Sequence, residues 1–348
     1  MADLPETMCA VLLNGHGGFE QLEYRDDVAV PRPQAGEVLV RVGAAALNNT
    51  DINTRTAWYS REDADASDAS WSGAALTFPR IQGADVCGHI VAVGAGVDPG
   101  RVGERVLIEP CLREPVGWQP YRAWYFGSEC DGGFAQYTKA PAVHAYRIES
   151  ELSDADLASF PCSCSTAENM LTRTGLEAGE TVLVTGASGG VGSAAVQLAK
   201  RRGARVIALT SPSKAEQVMA LGADEVVPRD ADLTARLGPV QVVVDLVAGP
   251  QWPQLLGVLD RGGRYAVAGA IAGPIVELDV RMLYLRDLKL FGCTVLEREV
   301  FGNLVGYIER GEIRPVVART YPLCEIVAAQ QEFLGKQFTG KLVLLPPE

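Results

Sequence analysis

The sequence predicts an α/β protein in which a doubly wound parallel sheet is joined to a second, β-rich domain. Three observations lead there. The stretch Thr181 to Lys200, TVLVTGASGGVGSAAVQLAK, runs from an apolar β-branched segment through a glycine-dense turn into a helix with small residues in its first turns. After it, apolar strand-like runs alternate with short helical stretches, the pattern of a parallel sheet covered on both faces. Before it, residues 1 to about 150 read as short strands cut by Gly and Pro turns with few helices between, the texture of a small barrel or sandwich.

In chain order, Met8 to Leu13, Glu37 to Val42, His89 to Val93, Arg105 to Ile108 and Phe134 to Thr138 are strands of the β-rich part. Ser60 to Thr77, acidic and rich in Ser and Ala, reads as a surface insertion or lid. Ser153, followed by Asp154 and Asp156, is a helix N-cap. Thr181 to Val184 is then a buried parallel strand, followed by Arg205 to Thr210, Glu225 to Val227, Gln241 to Val247 and Arg264 to Ala270. Helices at Ser213 to Leu221 and Trp252 to Leu259 lie between them. The pattern closes with a strand at Leu290 to Val295 and a helix at Glu299 to Arg310. The tail then returns to strand character at Val316 to Tyr321 and Leu342 to Leu345, around a helix at Glu325 to Leu334.

Gly186, Ser188, Gly189, Gly190, Val191 and Gly192 form the central turn, spaced G-x-x-G-x-x-G. Glycine tolerates φ > 0 and close approach, and a helix N-terminus presents unpaired N–H groups to an anion. The turn also fits a bare strand-to-helix connection, but the strands around it favour a dinucleotide site. No Lys-Ser or Lys-Thr follows the last glycine, which argues against a mononucleotide P-loop. An NAD site places an acid about 20 residues on, at the end of the second strand. That place is Thr210, Ser211, Pro212, Ser213 and Lys214, which has no carboxylate. Hydroxyls and a lysine suit a 2′-phosphate, so the expected cofactor is NADP(H). Ser213 and Glu216 also match an S-x-x-E capping box.

The net charge of −12 argues against nucleic acid or an anionic membrane as partner. No run of 18 apolar residues exists to span a bilayer. The first residues, MADLPETMCAVLL, lack the basic segment and apolar core of a secretion signal, and the eight cysteines read as reduced thiols, so the expectation is a cytoplasmic protein. His16 and His144 have no acidic or cysteine neighbour in sequence and read as ordinary histidines. No nucleophile-elbow motif supports a Ser-His-Asp site.

Ala46 to Asp51 (ALNNTD), Gly83 to Gly88 (GADVCG), Gly132 to Ala135 (GGFA), the Gly186 to Gly192 turn, Gly262-Gly263-Arg264 and Gly340-Lys341 follow one another in the order seen in the medium-chain dehydrogenase/reductase superfamily. The chain resembles its zinc-free, quinone oxidoreductase-like branch over nearly its whole length. The resemblance implies a GroES-like catalytic domain (1–150 and 311–348), a Rossmann NADP-binding domain (151–310), an active-site cleft between them, and a homodimer. The edge strand at Leu290 to Val295 would pair with its copy.

Zinc-dependent relatives would place their catalytic ligands at Asn48, Ala84 and Cys162, and the structural-zinc lobe would need four cysteines where this chain has only Cys111 and Cys130. No zinc is therefore expected. A rebuilt site from Cys87, His89 and Cys162 is the metal-binding alternative.

The resemblance also places Asn48, Thr50 and Tyr59 beside the nicotinamide, as donors to a substrate oxygen and as a proton source. It places Arg229 near the adenine and 2′-phosphate, Gly269, Ala270, Cys293 and Thr294 against the nicotinamide, and Lys336 within reach of the cofactor from the tail. Trp58, Trp71 and Trp124 are candidates for a pocket wall or a core. The expected activity is NADPH-dependent hydride transfer to a quinone or α,β-unsaturated carbonyl, a small-molecule partner. A zinc alcohol dehydrogenase with atypical ligands and a non-catalytic NADP(H)-binding protein are the alternatives.

Overall fold

The computed structural model describes residues 4–60 and 68–348, so residues 61–67 of the Ser60 to Thr77 insertion lie outside the described residues. The chain divides into two units. One comprises Met1–Cys162, Pro315–Gln337 and Lys341–Glu348, the other Ser163–Arg314 and Phe338–Gly340.

The second unit is built on a six-stranded parallel sheet, ordered Glu225–Pro228, Arg205–Thr210, Thr181–Val184, Val240–Asp245, Leu259–Val267, Lys289–Gly292. With Thr181–Val184 as the first strand, this is the 3-2-1-4-5-6 order of a Rossmann fold. The strands are apolar on both faces because helices cover both, and Leu183, Ile207, Val243, Leu255 and Tyr265 meet in one core. Several strands differ in extent from their sequence pattern. Arg264 to Ala270 belongs to a longer strand that starts at Leu259 and ends at Val267. Leu290 to Val295 is strand only over Lys289–Gly292, because pairing with the neighbouring strand ends at Val267↔Gly292. Asp245 ends its strand fully buried, accepting from Thr185 Oγ1 at 2.6 Å and from the Tyr265 hydroxyl.

The first unit is the GroES-like, β-rich part. Its main sheet runs Ala145–Arg147, Arg105–Ile108, Asp85–Val93, Glu37–Ala46, Lys341–Leu345, Val317–Pro322, with Tyr137–Pro141 also paired to Glu37–Ala46. The strand expected at Phe134 to Thr138 lies slightly later, at Tyr137–Pro141. Ser153 caps its helix as expected, its Oγ accepting from Asp156 N at 3.1 Å. The register of the main sheet places the candidate site. Ala46 pairs with Asp85 on one side and Val343 on the other. Carrying the antiparallel register two residues further sets Lys341 opposite Asn48. No helix among the described residues is long and apolar enough to cross a membrane.

Candidate active site

In the first unit, three chain segments meet at one buried polar cluster. Asn48 ends the strand Glu37–Ala46 and leads into the helix Asn49–Arg55. Its backbone N–H donates to Asp51 Oδ2 at 2.7 Å, which fixes the start of that helix. Asn48 Nδ2 donates to Asp85 Oδ2 at 2.8 Å and to Ala46 O at 3.3 Å. Its Oδ1 accepts from Lys341 Nζ at 2.5 Å, and the same ammonium pairs with Asp85 Oδ2 at 2.8 Å. Asp85 Oδ1 accepts from Cys162 N at 2.5 Å. Both amide hydrogens of Asn48 are thus committed inside the protein, and the residue orients the site instead of presenting a donor.

Thr50, in the first turn of the same helix, differs. Its Oγ1 is shielded from solvent and makes no hydrogen bond of normal geometry. With only the Tyr59 side chain beside it, this buried hydroxyl keeps hydrogen-bonding capacity for a further group. The Tyr59 hydroxyl lies nearby. Burial pushes its pKa up, and the Thr50 and Asn53 side chains partly offset this. Behind them, burial lifts the Asp51 carboxyl to about 7 against the opposing pull of the Asn48 N–H and the Lys341 ammonium.

Cys162 and Tyr125 form the cluster's other side, their Sγ and hydroxyl 2.7 Å apart. Trp71 stacks on Tyr125 with ring centroids 4.2 Å apart, and Ala84 packs with them. Burial and the Asp85 charge push the Cys162 thiol up to about 12, so it holds its proton. The catalytic-zinc fit fails here on chemistry. Ala84 offers no ligand atom, the Asn48 carbonyl already faces a cation, and Cys162 is a neutral thiol, where zinc needs three protein ligands. The alternative ligands do not gather either. Cys87 is buried with Sγ 3.4 Å from Asp154, while His89 is exposed, on a strand whose pairing is irregular opposite Gly43. Among the described residues no group of three His, Cys, Asp or Glu is placed to hold a metal ion.

His144 is a hydrogen-bonded histidine, one of the two ordinary roles its sequence context offers, and its acidic partner is distant in sequence. It is fully buried, with Nδ1 2.7 Å from Glu109 and Nε2 accepting from the backbone of Arg113 and Glu114. His16 Nδ1 lies 3.0 Å from Thr54 O. Trp58 and Trp124 are exposed. Lys336, in left-handed conformation at φ 52°, donates to Asn49 Oδ1 at 3.0 Å and lies over Phe333.

The second unit carries the glycine turn. Gly186 has φ +57°, and a Cβ on Gly192 would sit 2.2 Å from Gly186 O, so only glycine lets the helix Gly190–Arg201 start this close to the turn. The N–H groups of Gly190, Val191 and Gly192 belong to the first turn, whose amides have no partner within the helix. Ser188 O accepts from Gly340 N at 2.9 Å, closing the turn from the tail.

At the end of Arg205–Thr210, Thr210 Oγ1 is buried without a partner and Ser211 and Ser213 share a hydrogen bond of 3.1 Å. The expected Ser213–Glu216 capping box does not form: Ser213 lies in a 3₁₀ turn ahead of the helix Ala215–Ala220, and its hydroxyl is engaged with Ser211. Lys214 Nζ donates to Phe338 O at 2.7 Å. Burial and the nearby Arg229 charge lower the Lys214 pKa. Two cations, two hydroxyls and an orphaned threonine fit the phosphorylated end of NADP(H). Gly269 follows the next-to-last strand, Ala270 comes after it, and Cys293 is buried with Thr294 exposed beside it. Burial pushes the Cys293 thiol up to about 11.

Sequence reasoning named Asn48, Thr50 and Tyr59, and the structure gathers all three. It gave no role to Asp85, Lys341 or Tyr125, and left Trp71 between a pocket wall and a core. A lone lysine heading the apolar strand Lys341–Leu345 was the available signal, since such a charge needs a buried partner.

Residues 34–150 match the alcohol dehydrogenase GroES-like domain, and residues 190–310 match the zinc-binding dehydrogenase domain. The acryloyl-coenzyme A reductase of Metallosphaera sedula is 32% identical, covering 97% of this chain and 99% of that protein. The quinone oxidoreductase of Homo sapiens is 28% identical over 99% of this chain and 100% of its own length. A crystal structure of a putative alcohol dehydrogenase from Sinorhizobium meliloti is 48% identical with a TM-score of 0.94, covering 100% of this chain and 99% of that one. The chain belongs to the medium-chain dehydrogenase/reductase superfamily.

Proposed function

We propose that this chain is an NADPH-dependent oxidoreductase that reduces an α,β-unsaturated carbonyl or a quinone without zinc. The observation that carries the reading is the solvent-shielded Thr50 hydroxyl, engaged by the Tyr59 side chain and by no backbone group, beside a cluster where hydrogen bonds occupy the positions of metal ligands. The acryloyl-coenzyme A reductase and quinone oxidoreductase relatives support the substrate class. NADPH, when bound, supplies the hydride. Thr50 Oγ1 donates to the substrate oxygen and stabilises the negative charge that gathers there as the electrophilic carbon is reduced. Tyr59 holds the proton that follows. Asn48 orients the helix that carries Thr50. The amides of Gly190, Val191 and Gly192, with Gly186, Ser188 and Gly189 shaping the turn, bind the cofactor pyrophosphate. Ser211, Ser213, Lys214 and Arg229 bind the 2′-phosphate, Gly269, Ala270, Cys293 and Thr294 flank the nicotinamide, and Lys336 serves the cofactor from the tail.

The test mixes purified protein with NADPH and a panel of quinones, enones and enoyl-CoA esters. The expected result is NADPH oxidation with at least one of them, and none with any would end the reading. Lys214→Ala is expected to raise the KM for NADPH by roughly 10- to 100-fold and that for NADH little, since a hydrogen bond to a charged group is worth about 1.5–3 kcal/mol.

We also propose a homodimer. Val280, Tyr284 and Leu285 of the helix Val280–Leu285, just before the edge strand Lys289–Gly292, and Leu290 within it are exposed. An apolar edge of this kind is a pairing site, and a two-fold would join it to its copy. Light scattering should give twice the chain mass; the mass of one chain would refute the dimer. All eight cysteines are free thiols, which supports a reducing, cytoplasmic setting.

A further inference from the structure

We propose that Lys341 and Asp85 are positioning residues that act on the reaction through Thr50; the inference rests on the function proposed above. Asn48, Asp85 and Lys341 close a ring of three hydrogen bonds, of 2.8, 2.5 and 2.8 Å, and all three side chains are buried. The Lys341 side chain is 5% exposed and that of Asp85 0%. Burying an ion pair costs desolvation, and an apolar residue at 341 would suit the strand Lys341–Leu345 better. The pair therefore contributes something besides stability.

What it contributes is direction. Lys341 accepts no hydrogen bond, so it holds the Asn48 carbonyl toward itself, and Asp85 only accepts, so it holds the Asn48 amide nitrogen. The amide has one orientation in such a ring. Asn48 then hands its backbone N–H to Asp51, which starts the helix Asn49–Arg55 and sets where Thr50 Oγ1 stands. Asp85 also holds Cys162 N, so the same carboxylate fixes the segment that brings Cys162 against Tyr125.

The experiment is a double-variant cycle on the full-length protein. Lys341→Met is expected to lower kcat by about 10- to 100-fold, the usual effect of a misplacement near 1 Å, with the Kd for NADPH by fluorescence titration unchanged. In a Thr50→Val background, Lys341→Met should cost no further kcat, because the group it positions is already gone. A wild-type kcat for Lys341→Met, or losses that multiply in the double variant, would overturn the inference. If Lys341→Met does not fold, Asp85→Asn runs the same cycle, keeping shape while removing the charge. Failure of the functional reading is read separately, as a Thr50→Val variant that reduces substrate as fast as wild type.

Discussion

Thr50→Val lowers kcat for the enone or quinone substrate by about 10²- to 10³-fold, the cost of removing one donor to a developing oxyanion, while the protein melts no earlier than wild type. The two halves of this expectation come from one observation. Thr50 Oγ1 bonds no backbone group and is engaged only by the Tyr59 side chain, which Asn53 also holds, so the isosteric valine loosens little of the fold. It removes a desolvated polar atom whose burial costs on the order of 1–3 kcal/mol. In the proposed reaction the hydroxyl serves the transition state more than the fold. Tyr59→Phe should show a smaller loss, with the pH profile of kcat changed on its alkaline side, since burial already holds that phenol above its ordinary range. A Thr50→Val protein that is less stable but fully active would reverse the assignment.

Asp51 yields the second large effect, on stability. Its carboxyl sits near 3.8 when unperturbed and about 7 in the folded chain. Between those values the folded state carries a proton that the unfolded chain has released, so stability falls as pH rises from about 4 to about 7 and is flat above. The charges that face it are those of Lys341 and Asp85, and the backbone N–H groups of Asn48 and Gly83 donate to it. Asp51→Asn should therefore unfold at higher urea than wild type at pH 8, with the advantage shrinking steadily as pH is lowered toward 4. Parallel urea midpoints for the two proteins across this range would show that Asp51 is ionised throughout.

How much of this was legible in the sequence depends on the range of the contacts involved. The parallel sheet was readable because each strand and its following helix are adjacent in the chain, and the order of glycine turns fixes the crossovers. Strand ends were less readable. Gln241 to Val247 reads as one mostly apolar strand, yet the strand stops at Asp245, whose carboxylate turns back to accept from Val247 N and Ala248 N. The local motif Ser213-x-x-Glu216 was outcompeted by a neighbouring hydroxyl, Ser211, which sequence spacing does not weigh.

In the active site, Asn48, Thr50 and Tyr59 lie within one short stretch that the family resemblance covers. Asp85 and Lys341 carry the cluster's charge but reach Asn48 across 37 and 293 residues. Nothing local pairs them; only the register of the sheet, with Ala46 between Asp85 and Val343, brings them together. The role of Asn48 changed for the same reason. An asparagine in a loop reads as a free donor until the residues that saturate it are known.

The proposed chemistry is carried out by hydrogen bonds at positions where zinc-dependent relatives would place metal ligands. The most direct measurement is the zinc content of the purified, active protein, taken on the same sample whose NADPH oxidation is assayed. The expected result is full activity with far less than one zinc per chain, unchanged after a chelator. One zinc per chain, with activity lost on chelation and restored by zinc, would contradict it.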